Sequence, residues 1–162
     1  MRWILIVQLL ILITLANGTP VIAQKLLGKV LDQPLDSGAL FLDGRPLFGS
    51  SKTVRGFVLS ILTTTGFAPI VGLEWTIGLM VAISAMAGDL LSSFTKRRLA
   101  LAPSSRATGL DQIPESLFPA LACRQALALT TLEITFVIGI FFVGEIVLSR
   151  LLFRWHVRNR PY

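Results

Sequence analysis

Cysteine, histidine and charged residues are all scarce in this chain of 162 residues. It has one cysteine, Cys123, and one histidine, His156. A single cysteine excludes an internal disulfide, and the chain has no Cys/His set for a zinc site. Any metal ion would therefore have to be a hard ion held by carboxylate oxygens.

Apolar residues dominate what is present. They make up 53% of the chain, charged residues only 15%, and the mean hydropathy is +0.72. The apolar residues form long runs instead of alternating with polar ones, which is typical of an integral membrane protein. We therefore predict a single polytopic membrane domain over 1–162.

Five stretches are nearly free of charge and approach the roughly 20 residues that one crossing of a bilayer needs. They lie at 3–24, 56–73, 75–95, 116–132 and 134–153. The last reaches Phe153 if the side chain of Arg150 extends to the membrane surface. The pattern predicts an all-α fold with about five transmembrane helices and two ordered cytoplasmic loops that form a polar site at the inner membrane surface.

The net charge of +6 comes from cations beside the apolar runs, which indicates topology signals and phosphate ligands rather than a nucleic-acid surface. Basic residues concentrate in two loops and the tail: Lys25, Lys29, Arg45, Lys52, Arg55, Lys96, Arg97, Arg98, Arg106, Arg150, Arg154, Arg158 and Arg160. Because basic segments stay inside, we predict a cell-membrane protein with its N-terminus outside and C-terminus cytoplasmic. A cleaved secretory signal ending near Ala23 is the alternative; the length of the run and Lys25 favour a retained span.

A charged cluster ends the third span, with the sequence Gly88-Asp89-Leu90-x-Ser92-Ser93-x2-Lys96-Arg97-Arg98. At helical spacing, Asp89, Ser92, Ser93 and Lys96 share one face, with Arg97 at its edge. Ionisable groups within a membrane are rarely without a role, although a structural pair between Asp89 and a cation is an alternative.

The first loop carries a second cluster, Asp36-x-Gly38-x4-Asp43-Gly44-x4-Gly49-x2-Lys52-Thr53-x-Arg55-Gly56. Its spacing is not that of a Walker motif, because two residues separate Gly49 from Lys52. The glycines could turn backbone amides towards an anion, and Lys52 and Arg55 could bind phosphate oxygens at a helix N-terminus.

Asp111 precedes the fourth span and could be a helix cap or a metal ligand. Together, Asp89 and Asp111 are the minimum protein contribution to a Mg²⁺ site completed by water and phosphates. Arg124 and Glu145 have similar predicted depths, which suggests an ion pair between the last two spans.

These motifs resemble the CDP-archaeol synthase family, which is related to the CDP-diacylglycerol synthases. The matching segments are Ala16-Asn17-x2-Pro20, the first-loop cluster, the cluster that ends span three, and Leu110-Asp111-Gln112. The longer Lys-Asp and Pro-Gly-His-Gly-Gly signature of the diacylglycerol enzymes is absent between Arg98 and Asp111. The lipid could therefore be a diether or a diacyl phosphate.

The resemblance implies Mg²⁺-dependent transfer of a cytidylyl group from CTP to a membrane lipid phosphate. It assigns Lys52, Arg55, Lys96 and Arg97 to the nucleotide phosphates, and Asp89 and Asp111 to the metal. We predict that the substrates also contact Asp43, Gly44, Gly49, Thr53, Ser93 and Gln112.

Two other functional classes are alternatives. A non-enzymatic assembly or transport subunit would use Asp89 only as a structural ion-pair residue. A lipid phosphatase would need a nucleophile, and neither His156 in the basic tail nor Cys123 in a span is well placed for that role. The small residues Ser84, Ala85, Ala87 and Gly88 permit close helix contact within the chain or in a homodimer.

Overall fold

The computed structural model describes residues 1–28, 30–102, 105 and 107–154, with the side chains of 152–154 left out. It contains five helices, α1 (Trp3–Leu27), α2 (Val54–Phe67), α3 (Trp75–Arg98), α4 (Gln112–Ala122) and α5 (Thr131–Arg154). The all-α prediction is confirmed. Several basic residues of the topology prediction, and the histidine, lie outside the described residues: Lys29, Arg106, His156, Arg158 and Arg160.

Among the described residues, three helices are long and apolar enough to cross a membrane, over Trp3–Leu27, Trp75–Arg98 and Thr131–Leu151. The other two are shorter than predicted, with 14 residues in α2 and 11 in α4. At 1.5 Å per residue they extend about 21 and 17 Å, against a hydrocarbon core of about 30 Å. The predicted spans 56–73 and 116–132 therefore overstate the helical lengths.

Local chemistry explains both early ends. Pro69 lies two residues after the end of α2 and has no amide hydrogen with which to continue the helical hydrogen bonds. The chain then turns through Gly72, whose φ is +84°. After α4, the polar pair Arg124 and Gln125 is exposed, and a turn begins. The apolar residues of this region, such as Cys123 and Leu129, pack in the core instead of continuing a helix.

The third helix is the centre of the bundle and packs against α1, α2 and α4, while α1 also contacts α2 and α5. Two glycines allow the closest approaches. A Cβ added at Gly78 would lie 2.8 Å from the Thr64 carbonyl oxygen, and one at Gly88 would lie 2.3 Å from that of Pro114. Ala85 and Gly88, offered above as possible dimer contacts, are buried within the chain.

The end of the bundle that contains Arg2 is closed by one polar network. The Arg2 guanidinium lies 2.7 Å from the Glu133 carboxylate and also donates to the carbonyls of Leu127 and Ala128. Trp3 packs edge-on against Phe136. These contacts join α1 to α5 at this end, called the Arg2 end; the opposite end, with both charged loops, is called the Lys52 end.

Candidate active site

Two lysine–aspartate pairs lie side by side at the Lys52 end. Lys52 Nζ lies 2.5 Å from both carboxylate oxygens of Asp89, and Lys96 Nζ lies 2.6 Å from Asp111 Oδ1. Burial opposes the charge on Lys52, but Asp89, Glu115 and Asp111 together raise the pKa of Lys52 above its ordinary value. Four of the six charged residues that the resemblance assigned to the phosphates and the metal thus lie together.

The position of Lys52 follows from the way the first loop joins α2. The Leu35 amide donates to the Lys52 carbonyl at 2.7 Å, and the Val54 amide to Gln33 at 3.0 Å. Thr53 is the N-cap, and its hydroxyl accepts from the Gly56 amide at 3.2 Å. The chain is therefore held on both sides of Lys52 as it enters the helix.

The close contact at Gly88 brings a residue that the sequence analysis did not single out beside Asp89. A side chain at position 88 would overlap the backbone of Pro114 and Glu115, so glycine lets α3 touch the start of α4. The Glu115 carboxyl lies beside that of Asp89. Glu115 follows Asp111 by four residues, and this helical spacing was the signal that could have identified it.

Asp111 occupies the N-cap position of α4 but makes no side-chain capping bond. Its carboxylate instead pairs with Lys96 and accepts from the Ala107 amide at 3.1 Å. The segment is tied to α3 because the Ser92 hydroxyl donates to the Leu110 carbonyl at 2.6 Å. Capping by the Asp111 side chain is thus excluded, and the carboxylate lies beside the other charged groups.

Gln112 links α4 to α5 through Glu145. Its Nε2 donates to Glu145 Oε2 at 2.5 Å, and its Oε1 accepts from the Gly109 amide at 2.7 Å. The predicted pair between Arg124 and Glu145 is wrong, and no such pair occurs among the described side chains. Because α4 ends early, Arg124 lies in the exposed turn before α5.

A cavity of about 1120 Å³ contains this cluster. Its polar lining includes Lys25, Lys52, Thr53, Asp89, Ser93, Lys96, Arg97, Asp111, Gln112, Glu115, Glu145 and Arg150. Its apolar lining comes mainly from α1 and α5 and includes Leu10, Leu15, Ile22, Ile140, Phe141 and Leu148. One continuous space therefore has both a charged region and an apolar region.

Four residues predicted at the site do not line the cavity: Arg55, Asp43, Gly44 and Gly49. The buried Arg55 guanidinium bonds the carbonyls of Gly28 and Val30 and lies 3.3 Å from Asp32, so it fixes the end of α1. Asp43 lies 2.5 Å from Arg98 and accepts from the Arg45 amide. The structure gives these side chains partners that organise the first loop.

The backbone amides of the first loop already bind a carboxylate of the protein itself. Asp36 accepts from the amides of Phe48 and Gly49 at 2.9 Å each, and from that of Gly38 at 3.1 Å. Gly44 has a φ of +73° and forms the adjoining turn. The amides expected to face a phosphate therefore bind the carboxylate of Asp36.

The donor set suits a hard divalent cation shared with a substrate. Within the part of the chain that is described, no three His, Cys, Asp or Glu side chains converge as a metal cluster. Asp89 and Asp111 supply carboxylate oxygens to one cavity, and Glu115 lies beside Asp89. Neighbouring carboxyl groups repel unless a proton or a cation lies between them. These residues fit a Mg²⁺ site that is completed by water and phosphates.

Comparison with known proteins agrees with this arrangement. The family model described as CarS-like, CDP-archaeol synthase matches residues 67–156. The CDP-archaeol synthase of Sulfurisphaera tokodaii is 33% identical over 135 residues, covering 80% of this chain and 81% of that protein. The Pyrococcus furiosus CDP-archaeol synthase is 41% identical over 107 residues, or 60% of each chain.

A solved structure, described as that of an intramembrane enzyme for archaeal membrane lipid biosynthesis, also matches. The TM-score is 0.69 at 25% identity, covering 86% of this chain and 91% of the other. The interpretation as a non-enzymatic membrane subunit is therefore wrong. The chain belongs to the CDP-archaeol synthase family and is an enzyme, a membrane-embedded cytidylyltransferase of lipid biosynthesis.

Proposed function

We propose that this enzyme transfers the cytidylyl group of CTP to a membrane lipid phosphate, in the presence of Mg²⁺, and releases pyrophosphate. The acceptor is an archaetidic-acid-like diether phosphate or the diacyl equivalent. The single observation that carries the proposal is the cavity in which three lysines, two arginines and four carboxyl groups adjoin an apolar wall. Such a space suits a reaction between a soluble nucleoside triphosphate and a lipid.

The chemistry needs positioning more than covalent help. A phosphate oxygen of the lipid attacks the α-phosphorus of CTP, the bond from that phosphorus to the oxygen bridging to the β-phosphorus breaks, and pyrophosphate leaves. The nucleophile is already ionised, so no general base is required. Rate enhancement comes from aligning two anions and neutralising charge on the leaving group.

In this proposal the residues divide by charge. Lys52, Lys96 and Arg97 bind phosphate oxygens, while Asp89 and Asp111 would hold Mg²⁺, which neutralises phosphate charge when bound. Thr53, Ser93 and Gln112 supply neutral contacts at the cavity wall. Substrate loading would exchange partners, because each lysine now pairs with one of the two aspartates.

Arg55, Asp43, Gly44 and Gly49 act indirectly in this scheme, by holding the first loop that positions Lys52. The Lys52 end faces the cytoplasm, where CTP is available. The N-terminus then lies outside the cell membrane and the C-terminus inside.

The test is product formation by reconstituted protein supplied with labelled CTP, Mg²⁺ and either a diether or a diacyl lipid phosphate. We expect CDP-lipid from the native protein and none from Asp89→Asn, with normal insertion of the variant. Asp32→Asn is the matched control, because Asp32 also faces a cation but lies outside the cavity. Absence of CDP-lipid with both acceptors contradicts the proposed reaction, and equal turnover by Asp89→Asn removes Asp89 from it.

A further inference from the structure

One face of α3 remains uncovered by the rest of the bundle. Ile83, Ala87 and Leu91 are exposed at intervals of four residues, while Ala82, Ala85 and Met86 on the other side are buried. Because α3 is long and apolar enough to span a membrane, an exposed apolar row along it faces lipid. Phe94 and Arg98 continue this row, called the lipid-facing row, to the Lys52 end.

A short hairpin of the first loop, residues 39–47, covers the end of this row. The Phe41 amide donates to the Arg45 carbonyl at 2.8 Å, and the Leu47 amide to that of Ala39 at 3.0 Å. The Phe41 ring packs edge-on against Phe94, with centroids 5.2 Å apart. The hairpin thus folds back along α3, because Phe94 lies about one turn, or roughly 6 Å, before the helix end at Arg98.

Arg98 fastens the hairpin in this position. Its guanidinium lies 4.8 Å from the centre of the Phe41 ring and 4.9 Å from that of Phe94. It also pairs with Asp43 at 2.5 Å and donates to the carbonyl of Pro46. Cation–π and ionic contacts of this kind favour one orientation of the hairpin on the helix.

The fixed hairpin presents leucines away from the protein. Leu42 is 97% exposed and Leu40 63% exposed. They flank Phe41, whose ring packs on Phe94 at the Lys52 end of the lipid-facing row. Removing each leucine side chain from water would be favourable. An exposed apolar tip beside a membrane-facing row, with Arg45 and Arg98 close by, matches the chemistry of a bilayer interface.

We propose that the tip of hairpin 39–47 inserts into the bilayer interface, with Leu40 and Leu42 in contact with lipid. The basic side chains Arg45 and Arg98 lie at the level of the lipid phosphates. The hairpin thereby anchors the first loop, which also carries Lys52, to the membrane surface. This inference concerns attachment to lipid and does not depend on the identity of the substrates.

The experiment uses the full chain in phosphatidylcholine and phosphatidylglycerol vesicles, with a polarity-sensitive fluorophore on Leu42→Cys. Cys123 is fully buried, so the maleimide reacts at the introduced thiol, and unmutated protein measures any background. Ser37→Cys is the matched control, an exposed and nearly isosteric site in the same loop outside the hairpin. We expect a blue-shifted emission at position 42 and quenching by lipids spin-labelled near the headgroup, with neither effect at position 37.

Water-like, unquenched emission at position 42 would overturn the proposed insertion. Equal quenching at positions 42 and 37 would also overturn it, because the whole loop would then lie in lipid. Disulfide-linked dimers of Leu42→Cys that persist when the protein is diluted in lipid would assign the tip to a second copy of the chain. A further variant carries the label on Leu40→Cys and adds Leu42→Asp. We expect quenching at position 40 to fall, and unchanged quenching would also reject the proposal.

Discussion

Four aspartates show how partners decide what the same side chain does. Asp36 accepts three backbone amides, and Asp43 pairs with Arg98 outside the cavity. Asp89 and Asp111 each pair with a lysine inside it. The first two organise the loop, and the last two supply the carboxylates proposed for metal binding.

Asp36 should make the first loop sensitive to acid. Partial burial disfavours its charge, but the amides of Phe48, Gly49 and Gly38 outweigh this and hold the pKa of Asp36 below its ordinary value of 3.8. A depressed pKa stabilises the folded loop above pH 3.8, and this stabilisation is lost as the pH falls through the folded pKa.

We predict that Asp36→Asn lowers the hydrogen-exchange protection of the Phe48 and Gly49 amides by roughly tenfold, or about 1.4 kcal/mol, close to the lower limit of about 1.5 kcal/mol for hydrogen bonds to charged groups. The native protein should lose protection in acid, whereas the variant should show little further change. Asp32→Asn is the control and should behave as native. Equal protection in Asp36→Asn and native protein would contradict this role.

Substitutions in the Lys52–Asp89 pair should affect stability and activity differently. Lys52→Met leaves the Asp89 carboxylate without its cation, which should destabilise the protein by about 1–3 kcal/mol. The double variant Lys52→Met/Asp89→Asn removes both charges and should recover the thermal midpoint without recovering CDP-lipid formation. Recovery of product in the double variant would mean that the pair has a structural role only.

The packing of α3 against α4 depends on the absence of a side chain at position 88. Gly88→Ala should lower stability by about 1–3 kcal/mol, because the new Cβ would overlap the Pro114 carbonyl and backbone must move. The shift would also separate Glu115 from Asp89, so activity should fall together with the thermal midpoint in detergent.

Gly139→Ala in α5 is the control for this substitution. No atom lies within 4 Å of a Cβ at position 139, and alanine favours the helix by up to about 1 kcal/mol. Its thermal midpoint should therefore stay the same or rise. A Gly88→Ala protein as stable as the native one would show that α4 can move away without loss.

The orientation of the whole chain stays a prediction, and thiol labelling of intact cells can test it. Ser50→Cys lies in the first loop and Glu74→Cys in the turn between α2 and α3, and both positions are exposed. If the Lys52 end is cytoplasmic, an impermeant maleimide should label position 74 in intact cells and position 50 only after permeabilisation. The reverse pattern would contradict the predicted topology.

The order of the helices along the chain could be predicted, because a long apolar run in a bilayer has few alternatives to a helix. Lys52, Asp89, Lys96 and Asp111 could also be singled out, since charged groups beside or within such runs need partners. Arg55 and Asp43 show the limit of that reasoning. Their spacing is as regular as that of Lys52, but the backbone turns their side chains towards Gly28 and Arg98 instead of the cavity.

Hydrophobicity and local spacing, which are properties of the chain itself, determined that this protein is helical, belongs in a membrane and carries two charged clusters. Only the packing decided which members of those clusters meet. The contact at Gly88 placed Glu115 beside Asp89, and the early end of α4 separated Arg124 from Glu145. Apolar residues favour burial wherever it is available, so composition cannot distinguish a membrane span from a helix packed inside the bundle.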